Sequence, residues 1–250
     1  MVDLTVWGWA LMAGVALIVG FSKTGVPGCG ILAVPLIAIA IPGQKSVGAL
    51  LPMLIVADLF AVAFYARHVS IKGFLQLLPF AIIGVVLGYF GLNYVGDNTT
   101  LMNQIIGISI IVLLALNAAR KARPDIDERI PRNWAFAGIF GILAGILTMM
   151  ANGAGPIMMI YLLAMDFDKK TFIGTGAVYF ATVNIIKVPF HVSLGNITGE
   201  TLLFGALLVP GIIAGVYIGR WAFGRLREDW FMTAIQVLTL VAAVLLVVRH

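Results

Sequence analysis

Long apolar runs separated by short polar breaks recur along the whole chain, and this constrains its fold more than any single motif. The runs are roughly 16 to 22 residues long, and about 20 apolar residues cross the hydrocarbon of a bilayer as a helix. They do not alternate apolar with polar residues, as strands of a membrane barrel would. Of the 250 residues, 61% are hydrophobic and 11% charged, whereas a soluble domain carries about 25% charged residues. The sequence therefore specifies an all-α polytopic membrane protein with little room for a soluble domain. Ten helical segments are predicted, at approximately 4 to 22, 29 to 41, 46 to 66, 73 to 95, 101 to 119, 134 to 151, 155 to 165, 171 to 191, 201 to 222 and 230 to 248. The second and seventh are too short to span comfortably.

The first run follows Met1-Val2-Asp3. That flank lacks the positive charge of a secretion signal, so the run reads as an uncleaved membrane helix. A single cysteine, Cys29, excludes an intrachain disulfide and any cysteine-cluster metal site. The net charge of +5 calls for a positional reading rather than a nucleic-acid one, because cytoplasmic loops of membrane proteins collect Lys and Arg. With the N-terminus outside, the inner breaks hold Lys23, Arg67, Lys72, Arg120, Lys121, Arg123, Arg129, Arg132, Lys169, Lys170, Arg220, Arg225 and Arg227, which is 13 of the 16 basic residues. Lys45 and Arg249 fall outside and Lys187 lies within a segment. Fusing each short segment with its predecessor into one crossing divides the charges about 8 to 6 and loses the bias. An even count with both termini outside is the better topology. It also holds if segments 1/2 and 6/7 form re-entrant hairpins.

Internal repetition comes next. A shift of 125 residues matches Gly20 with Gly145, Gly28 with Gly153, Gly30 with Gly155 and Lys45 with Lys170. A shift of 131 matches Leu77 with Leu208, Pro79 with Pro210, Ile82 with Ile213, Gly84 with Gly215, Val85 with Val216 and Gly88 with Gly219. Two related halves are expected, 1–120 and 133–250, joined by the cytoplasmic linker 121–132. Five segments in each half make the second enter the membrane from the opposite side. The fold class is then two inverted five-segment repeats, with segments 1/2 and 6/7 forming broken or re-entrant helix pairs. The interface of such repeats is where a substrate site is expected.

The breaks are "GFSKTGVPGCGILAVP" at 20–35 and its repeat partner around "ANGAGP" at 151–156. Gly25, Pro27, Gly28 and Gly30 interrupt the first, and Gly153, Gly155 and Pro156 the second. Unwound backbone at membrane depth is tolerated only where protein or a water-filled cavity satisfies it. Each break also exposes the N-terminus of a short helix, whose free N–H groups and dipole attract an anion.

Charged residues inside apolar segments bear on the same question. Lys187 and Asn184 lie three apart and share a helix face, an amide beside an ammonium. Lys187 is either an anion ligand or a lysine snorkelling to the surface, and Lys23 is either a ligand or a surface anchor. Asp58 is the only acid well inside a span, and a shift of 125 or 126 takes it to Val183 or Asn184. It can pair with a lysine, carry a coupling proton, or serve as a hydrogen-bonded structural residue.

"GFSKTGVPGCGILAVP", "NGAGP", "FIGTGA" and "NIIKVPF" resemble the signature segments of the sulfite exporter TauE/SafE family, also called the toluene-sulfonate uptake permease family. The resemblance covers essentially the whole chain in order. It implies transport of small organic or sulfur-containing anions, such as sulfite, sulfonates and sulfoacetate, across a prokaryotic inner membrane, with proton coupling suspected. The resemblance points to Ser22, Lys23, Thr24, Gly25, Gly28 and Gly30, to Asn152, Gly153, Gly155 and Pro156, to Gly174, Thr175 and Gly176, and to Asn184, Lys187 and Pro189. Gly28-Cys29-Gly30 replaces the commoner Gly-Gly-Gly.

Other chemistry has little support. No His-Glu-x-x-His, Gly-x-x-x-x-Gly-Lys or Gly-x-Ser-x-Gly motif occurs. Ser22 and Lys23 are immediate neighbours and do not face each other as a serine–lysine pair would. His68, His191 and His250 form no spaced metal set. The expected protein is therefore not an enzyme and needs no cofactor or metal. It is a multi-pass permease of the inner (plasma) membrane whose partners are a small anion, protons and the lipid bilayer. Lys23 and Lys187 would supply charge, Asn152, Asn184, Thr24 and Thr175 hydrogen bonds, and Asp58 the site of proton coupling. An anion channel on the same breaks is the first alternative, and an intramembrane enzyme ranks below it.

Overall fold

The computed structural model describes residues 5–26, 28–122, 134–223, 225 and 228–248. The first half contains α1 (Val6–Thr24), a 3-10 turn (Cys29–Leu32) that continues into α2 (Ala33–Ala40), α3 (Gln44–Tyr65), α4 (Ile71–Val95) and α5 (Thr99–Ala122). The second contains α6 (Trp134–Ala151), α7 (Gly155–Ala164), α8 (Lys169–Ser193), α9 (Gly199–Ala222) and α10 (Glu228–Val248). Among the described residues, seven helices (α1, α3, α4, α5, α6, α8 and α9) are long and apolar enough to cross a membrane. Pro27, the joining segment 123–133, Arg227, Arg249 and His250 lie outside the described residues.

Every apolar run forms a helix, and several begin two residues earlier than expected because polar caps extend them. Ser70 accepts from the Gly73 N–H and Asp168 from the Thr171 N–H, while Thr198 and Thr201 form a reciprocal capping box. The breaks themselves are shorter than the glycines suggest. Among the described residues of the two breaks, helix is lost at Gly25, Val26 and Gly28 and at 152–154, while Gly30 sits in the 3-10 turn and Gly155 and Pro156 open α7. Proline at the first turn of a helix loses no hydrogen bond, which is why Pro156 starts α7 rather than interrupting it.

Contacts along the helices fix their directions. Trp9 meets Phe204 near the starts of α1 and α9, and Gly25 meets Gly219 near their ends, so the two run side by side in one direction. Phe80 meets Trp134, and further along Gly88 meets Met149, so α4 and α6 are likewise parallel. Two links give the short helices their sense. The Gly43 N–H donates to Asn103 of α5 after α2, and the Tyr161 hydroxyl at the end of α7 donates to the Gly73 carbonyl at the start of α4. Each short helix therefore returns the chain to the face from which its long partner set out. Arg67, Lys72, Lys169, Lys170, Arg220 and Arg225 gather at one end of the bundle, here the basic face, and Lys45 lies at the opposite face.

Glycines let the two parallel pairs cross at backbone contact. A Cβ at Gly20 would collide with the Ile212 carbonyl and crowd Val216, and one at Gly145 would collide with the Ala81 carbonyl and crowd Val85. Gly215 against Leu17 and Gly84 against Ile142 repeat the pattern. These neighbours are backbone atoms that cannot rotate away. Gly20→Val and Gly145→Val are therefore each expected to lower stability by about 3 kcal/mol, the upper end of overpacking costs. The check is the melting temperature of the purified protein in detergent, and a wild-type value for either variant would remove the crossing from that position.

Candidate functional site

A cavity of about 110 Å³ lies between the two breaks. Gly28 and Gly30 line it from one break, Gly153 and Gly155 from the other. The polar part of its wall is Ser22, Lys23, Thr148, Asn152 and Asn184, and Met158, Met159, Leu162, Phe172 and Phe180 supply an apolar part. The lining reaches Phe172 and Ile173 in the first turn of α8 at the basic face, and none of it comes from the helix ends at the opposite face.

Lys23, in the last turn of α1, places Nζ 2.8 Å from Asp58 Oδ1 and 4.2 Å from the centre of the Phe180 ring. Its side chain is 14% exposed while that of Asp58 is 1% exposed. Lysine has three donors, and among the described residues Asp58 is the one polar partner of this ammonium, so donors are left for the cavity. Asp58 Oδ2 accepts from Asn184 Nδ2 at 2.6 Å, and Asn184 Oδ1 accepts from Lys187 Nζ at 3.1 Å. The two charges fix the amide orientation, since flipping it would set NH2 against an ammonium and oxygen against a carboxylate.

Lys187 is fully buried. Its Nζ reaches Asn152 Oδ1 at 2.6 Å, Thr148 Oγ at 3.1 Å and Asn184 Oδ1. Three oxygens match the three donors of an ammonium, so none is left for a ligand. Lys187 therefore lies behind the wall and holds three of the wall's polar side chains in place. Asn152 adopts a left-handed φ of 51° where the helix breaks, a conformation in which Asn is enriched. Its Nδ2 donates to the Val47 carbonyl at 3.0 Å.

The candidates thus divide into two sets. Ser22, Lys23, Gly28, Gly30, Asn152, Gly153, Gly155 and Asn184 come together around the cavity, with Asp58 and Lys187 one layer behind. Thr24, Gly25 and Thr175 do not line it. The Thr24 hydroxyl donates to the Val216 carbonyl at 2.7 Å, Gly25 packs on Gly219, and the Thr175 hydroxyl accepts from the Ser70 N–H at 2.9 Å. These three fasten helix ends. Thr148 was not anticipated, although the shift of 125 that pairs Gly20 with Gly145 also pairs Lys23 with Thr148.

With Lys23, Asp58 and Lys187 ionised, two cations face one anion, and the excess positive charge is held next to unpaired donors and broken helices. Such a wall offers the charge and donors that anion binding uses. No curated protein and no solved structure shows a match to the chain. A family model described as Sulfite exporter TauE/SafE matches residues 12–246. That span takes in both breaks and the whole cavity wall, and the chain belongs to the sulfite exporter TauE/SafE family of membrane transporters.

Proposed function

We propose that this chain is a secondary carrier of the inner membrane that moves a small sulfur-containing or organic anion, such as sulfite or a sulfonate, by alternating access of two inverted halves. The observation that carries the reading is Lys23, presenting free donors to a cavity between two helix breaks while its counter-charge, Asp58, is buried behind it. The halves are 1–120 and 133–250, with the linker between them and the basic face on the cytoplasmic side. Equivalent contacts support the inverted repeat: Gly20 meets Ile212 and Val216 as Gly145 meets Ala81 and Val85, which keeps both offsets of the sequence repetition.

Proton coupling follows from competition for Lys23. Among the described residues, Asp58 Oδ1 has no hydrogen-bond partner apart from its ion pair with Lys23. An anion that takes the ammonium leaves this oxygen unpaired beside a second negative charge, and a proton on Asp58 removes the repulsion. Anion and proton then travel together. A continuous pore fits less well, because the cavity approaches only one face.

The test is uptake of labelled sulfite and a panel of sulfonates into proteoliposomes. Saturable counterflow and acceleration by an inwardly directed proton gradient are the expected results. Channel-scale currents, or uptake indifferent to the proton gradient, would refute carriage and coupling respectively.

A further inference from the structure

We propose that the second exit of the cavity is the seam between α2 and α3, closed in this conformation and opening to the face opposite the basic one. The inference rests on the carrier reading above and on an asymmetry between equivalent parts of the two halves. On the basic side the cavity is lined by Met158 and Leu162 of α7 and by Phe172, Ile173, Gly176 and Ala177 of α8.

The offset of 125 that matches the breaks takes Met158 and Leu162 to Ala33 and Ile37 of α2. For α3 and α8 the offset is 126. Asp58 bonds its own counterpart Asn184, and Gly48 meets the Asn196 carbonyl as Gly174 meets the Tyr65 carbonyl. That offset takes Phe172, Ile173, Gly176 and Ala177 to Ser46, Val47, Leu50 and Leu51. All six counterparts are buried, with exposures between 0% and 2%, and none lines this cavity. Met158 and Leu162 are equally buried, so the difference in exposure lies on α8, where Phe172 and Gly176 are half-buried and Ile173 and Ala177 are 7% exposed against 0–2% for their counterparts on α3. One seam is therefore open and its counterpart is shut.

The shut seam also carries a latch. Asn152 sits on the cavity wall and donates to the Val47 carbonyl, tying the second break to the first turn of α3. Otherwise the seam closes on small and aliphatic side chains, Ala33, Ile37, Val47, Leu50 and Leu51, which separate without stranding hydrogen-bonding groups. Exchanging the conformations of two inverted repeats around a fixed site is the general route to alternating access. Here the exchange shuts the α7–α8 seam and opens the α2–α3 seam, so Asn152 must release Val47 as the anion leaves by the other side.

Single reporter cysteines in a Cys29→Ser background test this with an impermeant maleimide applied from either face of oriented vesicles. Ser46→Cys, a near-isosteric change, and Leu51→Cys are expected to label from the face opposite the basic one, whereas the equally buried Leu92→Cys stays silent. Ala177→Cys is expected to label from the basic face and reports that the protein is folded. Asn152→Ala is expected to raise labelling at Ser46→Cys about fivefold, the scale of losing one hydrogen bond. If Ser46→Cys and Leu51→Cys stay as silent as Leu92→Cys while Ala177→Cys labels, the proposal is overturned. Labelling requires no anion, so a seam that opens in a protein carrying none of the tested anions would refute the carrier reading and leave the seam standing.

Discussion

Lys23→Met is expected to abolish anion uptake and to lower the melting temperature by on the order of 10 °C, whereas Lys23→Met combined with Asp58→Asn recovers the melting temperature without recovering uptake. Removing one partner of a buried ion pair costs about 3–5 kcal/mol, because the other charge is left without compensation. Lys23 faces the cavity, and water there screens part of that loss, which places the effect near the lower end. At about 2–4 °C per kcal/mol for a chain of this size, the shift follows. Asn at position 58 keeps a side chain that can bond Asn184 and removes the carboxylate that Lys23→Met strands, while Lys187 keeps its three oxygen partners, so the fold is restored and the cavity still lacks the cation that faces it. A double variant that transports at the wild-type rate would show that Lys23 serves only Asp58 and never meets the anion. Asp58→Asn alone frees the ammonium. It is expected to bind the anion more tightly and to lose the dependence of uptake on a proton gradient.

The sequence was a good guide to helices and a partial guide to the site, for the same physical reason. Length and hydropathy determine where a chain crosses hydrocarbon, so each helix could be read from its own run, including the short α2 and α7. The polar caps at Ser70, Asp168 and Thr198 shifted boundaries by two residues because propensity at a helix end depends on a single hydrogen bond. Site residues on the breaks were legible because glycine at membrane depth has few uses. The division of labour among them was not. Thr24 and Thr175 have hydroxyls at suitable positions in the chain, yet those hydroxyls are taken by Val216 and Ser70, partners far away in sequence.

The pairing of Asp58 with Lys23 rather than Lys187 was also hidden, because both lysines lie within plausible reach of an acid whose helix rotation is unknown from sequence. The offset between halves held more information than motif spacing did. Asp58 and Asn184 are counterparts under a shift of 126 and bond directly, and Thr148, the counterpart of Lys23, bonds Lys187. In the proposed inverted repeat the axis would pass close to the charged cluster, and the cluster itself departs from the repetition: a shift of 126 takes Lys187 to Ala61, which carries no charge.

That broken symmetry gives Lys187 a role distinct from that of Lys23, and the two should separate in transport kinetics. Lys187→Met is expected to reduce the maximal rate of uptake severely while changing the half-saturation concentration far less than Lys23→Met does. Its ammonium spends all three donors on Thr148, Asn152 and Asn184, so it cannot add a bond to the anion without releasing one of them. Methionine of similar length leaves the amide oxygens of buried Asn184 and half-buried Asn152 without this donor, at about 1–3 kcal/mol for the buried one. The strain falls on Asn152, which holds the second break in its left-handed turn and latches the α2–α3 seam through Val47. Loss of that organisation slows the exchange of conformations, a rate effect, while Lys23 and the exposed donors still receive the anion. Arginine is expected not to rescue, because its planar fork cannot reproduce three bonds radiating from one nitrogen. Initial rates across a range of anion concentrations in proteoliposomes decide the matter: a change confined to half-saturation in Lys187→Met would make this lysine a direct ligand, with a donor released to the anion during the cycle.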